Sequence, residues 1–193
     1  MEEVVKKTRK QQIEEKATKL FREKGYAATS MRDLAQVLGI EAASLYSHIK
    51  SKEEILQKIC FKMADEFFAA WKDVESVSGS NAAKMEKAAI SYVKVITKNT
   101  AASAVFFHEW RHLSEPHLSK FLAMKDDYEG RFIKILKDGM EQGEFHQADE
   151  KFMMLTILSS LNWTHNWYKP SGSLSPEEVG AKLANLILNG LKK

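Results

Sequence analysis

Apolar residues recur at spacings of three and four along almost the whole chain, and the strict alternation of a half-buried strand is absent. The pattern predicts helices throughout. The first runs from Arg9 to Lys24, with Ile13, Ala17, Leu20 and Phe21 on one stripe and Gly25 as its stop. The second runs from Met31 to Leu38 behind Ser30, whose hydroxyl forms a capping pattern with Asp33 three residues on. Gly39 ends it, and a short helix from Ala42 to His48 follows. Ser51-Lys-Glu-Glu54 is a capping box that opens a long helix with Ile55, Ile59, Met63 and Phe67 facing inward.

Val77-Ser-Gly-Ser-Asn81 is the first real linker. Helical spacing resumes from Ala82 to Thr97, from Ala101 to Leu113 and from Pro116 to Gln142, where Gly143 stops it. Asp149 to Tyr168 reads as one long, strongly apolar helix, and Pro170-Ser-Gly-Ser173 as a loop. Ser175-Pro-Glu-Glu178 then combines a serine cap, proline at the first helical position and a capping glutamate. It opens a last helix carrying Val179, Leu183, Leu186, Ile187 and Leu191. The expectation is an all-α chain of nine helices.

Composition agrees. Three prolines and nine glycines in 193 residues are too few breakers for a many-stranded protein. The chain is 44% hydrophobic and 28% charged, which fits a globular core and excludes a disordered chain. No run of about 18 apolar residues offers a membrane span. MEEVVKKTRK has no apolar stretch of the kind a secretory leader needs, and the single cysteine, Cys60, can form no internal disulfide. A cytoplasmic protein with no membrane partner is expected. The charge of +3 is unevenly placed: residues 1–50 hold ten Lys/Arg against seven Asp/Glu, and the remainder holds nineteen of each. A positive excess confined to the N-terminal quarter suits contact with a polyanion such as DNA.

The chemistry there has a definite shape. Two short helices separated by Gly39-Ile-Glu41 form a helix-turn-helix pattern, with Ala35 small enough for close packing and Ile40 and Leu45 filling the space between. The second helix offers Ala42, Ala43, Ser44, Tyr46, Ser47 and His48 outward. Small residues let a helix sit deep in a major groove, and Ser44 can bond base edges or phosphate. Tyr46, His48, Lys50 and Lys52 are donors spaced to reach flanking phosphates.

The run Gly25-Tyr26, Thr29-Ser-Met-Arg-Asp-Leu-Ala35, Gly39-Ile40, Ser44-Leu-Tyr-Ser-His-Ile49 and Lys50-Ser-Lys-Glu-Glu-Ile-Leu56 resembles the TetR/AcrR family of repressors over about 45 contiguous residues. The resemblance implies a three-helix DNA-binding head at residues 1–52, a ligand-binding and dimerisation body at 53–193, and an obligate homodimer on double-stranded DNA. It implies phosphate contacts from Thr29 and Lys52, and groove-facing positions around Ala43, Ser44, Tyr46 and His48. Ser30 and Ala42 complete that surface. Glu41 departs from the small capping hydroxyl usual in the family, and Ile49 from a common phenylalanine. No Lys or Arg lies between Glu41 and Ser47, so a guanine contact falls to Arg32 at the start of the second helix.

The body is rich in rings. Phe106, Phe107 and Trp110, then Phe121, Tyr128 and Phe132, then Asn162, Trp163, His165, Asn166, Trp167 and Tyr168 are large aromatics with amides and imidazoles among them. Such a mixture suits an apolar pocket with a few polar anchors, and it also suits plain core packing. The candidate ligand residues are Phe106, Phe107, Trp110, Tyr128, Phe132, Trp163, Asn166 and Trp167. Glu109-Trp-Arg111, and Asn162-Trp163 through Trp167-Tyr-Lys-Pro170 into Gly172-Ser-Leu-Ser175, are similar to the bodies of TetR-type repressors of fatty-acid and sterol degradation. That similarity implies an acyl-CoA or related lipid effector. The apolar rows of the last two helices predict a four-helix seam across a two-fold.

A second reading belongs to another class. His108-Glu-Trp-Arg-His112 matches the zinc-hydrolase pattern H-E-x-x-H, in which imidazoles one helical turn apart share a metal and Glu109 is the base. It needs a third ligand. His117 does not fit the longer spacing, and Glu129 is near only along the chain. The plainer alternative is that Glu109 and Arg111 make polar contacts while Trp110 packs. No G-x-S-x-G, P-loop or dinucleotide fingerprint occurs, so neither an enzyme nor a cofactor is expected.

Overall fold

The computed structural model describes residues 8–191. The stretch read for a leader therefore lies partly outside the described residues. The head comprises α1 (Arg9–Lys24), α2 (Met31–Leu38) and α3 (Ala42–Tyr46). The body comprises α4 (Lys52–Glu75), α5 (Asn81–Lys98), α6 (Thr100–Glu109), α7 (His117–Glu141), α8 (Glu150–Asn162), α9 (Thr164–Trp167) and α10 (Pro176–Leu191). A single 3-10 turn, Trp110–His112, follows α6. The expected all-α architecture stands, with the eighth expected helix jointed into α8 and α9.

Local chemistry sets the head. Thr8 and Gln11 form a reciprocal capping box at α1, and Ser30 and Asp33 form one at α2. Gly39 ends α2 at φ 63°, a left-handed conformation that a side chain would strain, and its N–H closes on Ala35 and Gln36. Leu34 and Leu45, on either side of the turn, are buried in the same core as Leu20 and Phe21. Ser51 caps α4 through the Glu54 N–H. The Glu54 carboxylate does not close a box on Ser51; it accepts from the Lys50 N–H at 2.9 Å and from Lys58 at 2.8 Å.

In the body, α4 packs on α5, α6 and α7, and α10 lies along α5. The α5–α10 crossing is close: a Cβ on Gly180 would stand 2.7 Å from the Ile90 Cα. Met85, Ile96, Phe132, Leu136 and Met154 are fully buried between these helices. Glu144 holds the start of α5 by accepting from the Asn81 and Ala82 N–H groups. On the far side, α8 and α10 leave an apolar face bare, with Phe152 and Leu186 each 70% exposed.

The joint at Trp163 has a local cause. In an unbroken helix the Asn162 carbonyl would accept from the Asn166 N–H. Here it meets the His165 Nδ1 at 2.6 Å, and the Asn166 N–H turns to the Trp163 carbonyl at 3.0 Å. A side chain has taken a backbone partner, and the helix tightens and bends.

Candidate nucleic-acid interface and ligand cavity

The outer face of α3 is bare. Ala43, Ser44, Ser47 and His48 are exposed, Tyr46 is 54% exposed, and Ala42 is half-buried. Leu45 and Ile49, on the opposite side, are buried. Arg32 and Ser30 are exposed at the start of α2, although the Ser30 hydroxyl is engaged with Asp33. A shallow groove runs between the α1–α2 loop and the end of α3, with Ala28, Ser30, Tyr46 and Lys50 among its walls.

Two expected phosphate contacts are built differently. Thr29 is 1% exposed, and its hydroxyl donates to the Gly25 carbonyl at 2.8 Å. Lys52 donates to the Tyr26 and Thr29 carbonyls at 2.8 and 2.9 Å, and its ammonium sits 4.3 Å from the Tyr26 ring centre. The α1–α2 loop exposes carbonyls that no helix satisfies, and Lys52 satisfies them. Thr29 and Lys52 therefore shape the loop that carries the surface, and their side chains are turned inward. Burial, with Glu53 nearby, pushes the Tyr26 phenol up to about 12, so it stays neutral in this clasp.

The body encloses a cavity of about 430 Å³. Of the candidate ligand residues, Phe106, Phe107, Trp110, Tyr128, Trp163 and Asn166 stand on its wall. Phe132 does not. It is fully buried one turn beyond Tyr128, against Trp71 and Tyr92 at 5.0 and 6.1 Å between ring centres. Trp167 does not either; past the joint at Trp163 it is exposed outside the cavity.

Sequence reasoning missed the opposite wall. Phe67 on α4 stands 4.5 Å from Tyr92 and 5.5 Å from Phe106, centre to centre. It was expected on an inward stripe, and inward here means the cavity. Tyr92 carried a usable signal, a phenol on an otherwise apolar face of α5. Its hydroxyl donates to the Asn162 Oδ1 at 2.6 Å. The polar lining is sparse: His108, His165, Ser159, Asn162 and Asn166, with Arg111 and the Lys125–Glu129 pair.

The H-E-x-x-H geometry is not formed. The helix tightens into the 3-10 turn at Trp110, so His108 and His112 lose the i,i+4 relation. The His108 Nε2 lies 3.2 Å from the His165 Nε2, whereas the His112 Nε2 lies 3.5 Å from Glu109 and its ring meets Tyr26. Among the described residues no three His, Cys, Asp or Glu side chains group to hold a metal. Cys60 is buried, and burial pushes its thiol up to about 12, the opposite of a nucleophile's activation.

Cavity and head share one segment. Trp110 is a cavity wall, and two residues on the His112 ring packs at a tilt against Tyr26 with centres 5.1 Å apart. The Ser114 N–H donates to Glu53 in the first turn of α4 at 3.0 Å, and its hydroxyl donates to the same oxygen. Those bonds hold the Glu53 carboxyl below its ordinary range. Arg22 of α1 donates to Thr100 at the start of α6.

An exposed short helix on a glycine turn, carried beneath a hollow helical body, defines a helix-turn-helix regulator. The profile of bacterial regulatory proteins of the tetR family matches residues 13–59, and that of the tetracyclin repressor-like C-terminal domain matches residues 78–191. The chain belongs to the tetR family and is a DNA-binding transcriptional regulator. The HTH-type transcriptional repressor KstR2 of Mycobacterium tuberculosis is 26% identical over 188 residues, covering 96% of this chain and 94% of its own. Its solved structure, a ketosteroid transcriptional regulator, superposes with a TM-score of 0.88 over 97% of each chain. PfmR of Thermus thermophilus is 35% identical, with a TM-score of 0.79 over 94% of this chain and 99% of its own. AibR, solved with isovaleryl coenzyme A and operator DNA, shares the fold at 23% identity and a TM-score of 0.78, over 93% and 97% of the two chains. No helix among the described residues is long and apolar enough to cross a membrane.

Proposed function

We propose that this regulator is a repressor that binds a palindromic operator as a homodimer and releases it when an acyl-coenzyme A or related acyl lipid fills the body cavity. The observation that carries the reading is the continuity from Trp110, a cavity wall, through His112 and Ser114 to Tyr26 and Glu53 under the head. A ligand that favours another position of this segment shifts the head with it, by no more than its differential affinity for the two states.

Residues 1–52 act as the head and 53–193 as the body. Ala42, Ala43, Ser44, Tyr46 and His48 face the major groove, with Arg32 and Ser30 beside it. Thr29 and Lys52 hold the loop in shape. Phe106, Phe107, Trp110, Tyr128, Trp163 and Asn166 receive the effector. The bare face of α8 and α10, where Phe152 and Leu186 stand out, pairs with its copy. That pairing spaces two α3 helices about 34–36 Å apart, one turn of duplex. Of the relatives, one is a ketosteroid regulator, and another was solved with isovaleryl coenzyme A.

The test is a fluorescence anisotropy titration of duplex DNA from upstream of the chain's own gene, with and without long-chain acyl-coenzyme A. Tight binding that falls steeply with salt and weakens with ligand is expected. DNA affinity indifferent to every acyl-coenzyme A and to the corresponding free acids removes the effector; no affinity for any upstream duplex removes the operator reading.

A further inference from the structure

The failed metal motif leaves His108 with a different partner. His108 and His165 both line the cavity, their rings set edge to face with centres 5.2 Å apart and Nε2 atoms 3.2 Å apart. Hydrogen positions follow from the partners. The Asn162 carbonyl only accepts, so the His165 Nδ1, 2.6 Å away, carries a hydrogen and donates it. His165 is buried and is held below the ordinary histidine range, by burial first, against the bond to Asn162, and then by His108 and Arg22. A neutral ring with Nδ1–H has a bare Nε2. The His108 Nε2 must therefore donate to it, which leaves the His108 Nδ1 of a neutral pair as a lone pair.

One added proton, on the His108 Nδ1, changes what the pair offers. His108 becomes an imidazolium that donates one N–H to His165 and has a second N–H to donate elsewhere. The surroundings lack the anion that would favour this state. Arg22 of α1 bears on His165, and Arg111 lies over Trp110. On α7, Lys125 is neutralised by Glu129 at 2.6 Å. Glu109 is turned to His112, and α5 contributes only the neutral Tyr92 phenol, bonded to Asn162. Among the described residues no carboxylate forms an ion pair with either ring. A hydrogen-bonded imidazole pair, its His108 ring exposed, with cations nearby and no carboxylate paired to it, stands on the wall of a largely apolar cavity.

We infer that this pair reads an acid: the cavity's ligand carries a carboxylate on an apolar chain, and the carboxylate docks on His108–His165 with uptake of one proton from solvent. The proton goes to the His108 Nδ1, the carboxylate oxygen accepts it in a hydrogen bond, and no covalent bond changes. Affinity for the acid then falls as pH rises through the histidine range, because the bound form holds the extra proton. This deepens the effector reading and rests on it, choosing an acid end group over a thioester.

The experiment is calorimetry on the full chain near neutral pH, in two buffers of different ionisation enthalpy, with laurate, dodecanol and lauroyl-coenzyme A as probes. Laurate should bind with net proton uptake and dodecanol with none. His108→Gln should abolish the uptake and weaken laurate about tenfold or more, with a much smaller effect on dodecanol. His165→Leu should reduce it, since His108 then loses its acceptor. Laurate binding without proton uptake, or no tighter than dodecanol, overturns the acid site and leaves the effector cavity standing. Binding of lauroyl-coenzyme A alone overturns the carboxylate in favour of the thioester. Binding of none of the three overturns both this inference and the acyl effector.

Discussion

Head and body are both helical, but they are finished in opposite ways. The head is closed by local devices: two capping boxes, a left-handed glycine and a small buried core of Leu20, Phe21, Leu34 and Leu45. Its outward residues are small, so its shape is its function. The body is closed by contacts between residues far apart in the chain, and its aromatic faces stop short of filling the centre. An unfilled centre loses dispersion contacts that a packed core would make. Ring contacts such as Phe67 with Tyr92 and Trp110 with Phe121 offset part of that loss, and a ligand supplies more. A DNA reader requires a rigid outline; a sensor requires a core that is complete only when occupied.

The largest effect should come from breaking the head. Leu45→Ala removes a fully buried side chain beneath α3 and should cost about 2–5 kcal/mol in denaturant unfolding. DNA affinity should collapse while acyl ligand binding persists; equal loss of both would show the two regions are not separable. Next, Trp110→Ala should weaken acyl ligand by about tenfold or more and leave DNA binding of the free protein intact. Unchanged ligand affinity would remove Trp110 from the cavity's working wall.

A smaller effect is acid-dependent. The Lys50 N–H first, then Lys58 and Lys10, hold the Glu54 carboxyl down to about 2 from its ordinary value of 4.5. A depressed carboxyl stabilises the fold above its unfolded value. Its contribution is therefore whole above about pH 4.5 and drains away as pH falls towards about 2. Glu54→Gln should cost about 1 kcal/mol at neutral pH and flatten that acid slope. Smallest of all, the Thr164 hydroxyl is buried without a partner among the described residues. Thr164→Val should leave stability unchanged or raise it by up to about 1 kcal/mol, since it removes an unsatisfied group at constant shape.

The head was legible because its signals are local. Ser30 with Asp33, Gly39, and Ser51 ahead of a long apolar stripe announce their structure within a few residues. The inward turn of Thr29 and Lys52 was not, because it depends on carbonyls of Gly25, Tyr26 and Thr29 that only the folded loop leaves open. In the body, the rings were visible but not their assignment. Phe67 looked like core because a cavity wall has the same spacing as a core stripe. Phe132 and Trp167 looked like walls because the sequence does not reveal where helices close or where one bends. The bend at Trp163 is set by the His165 side chain, and the loss of the His108–His112 pairing by a tightened turn. Both are outcomes of competition between hydrogen bonds that differ by little energy.

The claim that one segment joins cavity and head is tested most directly by measuring linkage in both directions. Effector affinity is determined for the free protein and for the operator complex, and operator affinity with and without effector. Two linked sites must show the same factor both ways. The account predicts equal factors well above one, reduced towards one when His112→Ala cuts the contact with Tyr26. An effector that occupies the cavity with the same affinity on and off the operator would contradict it.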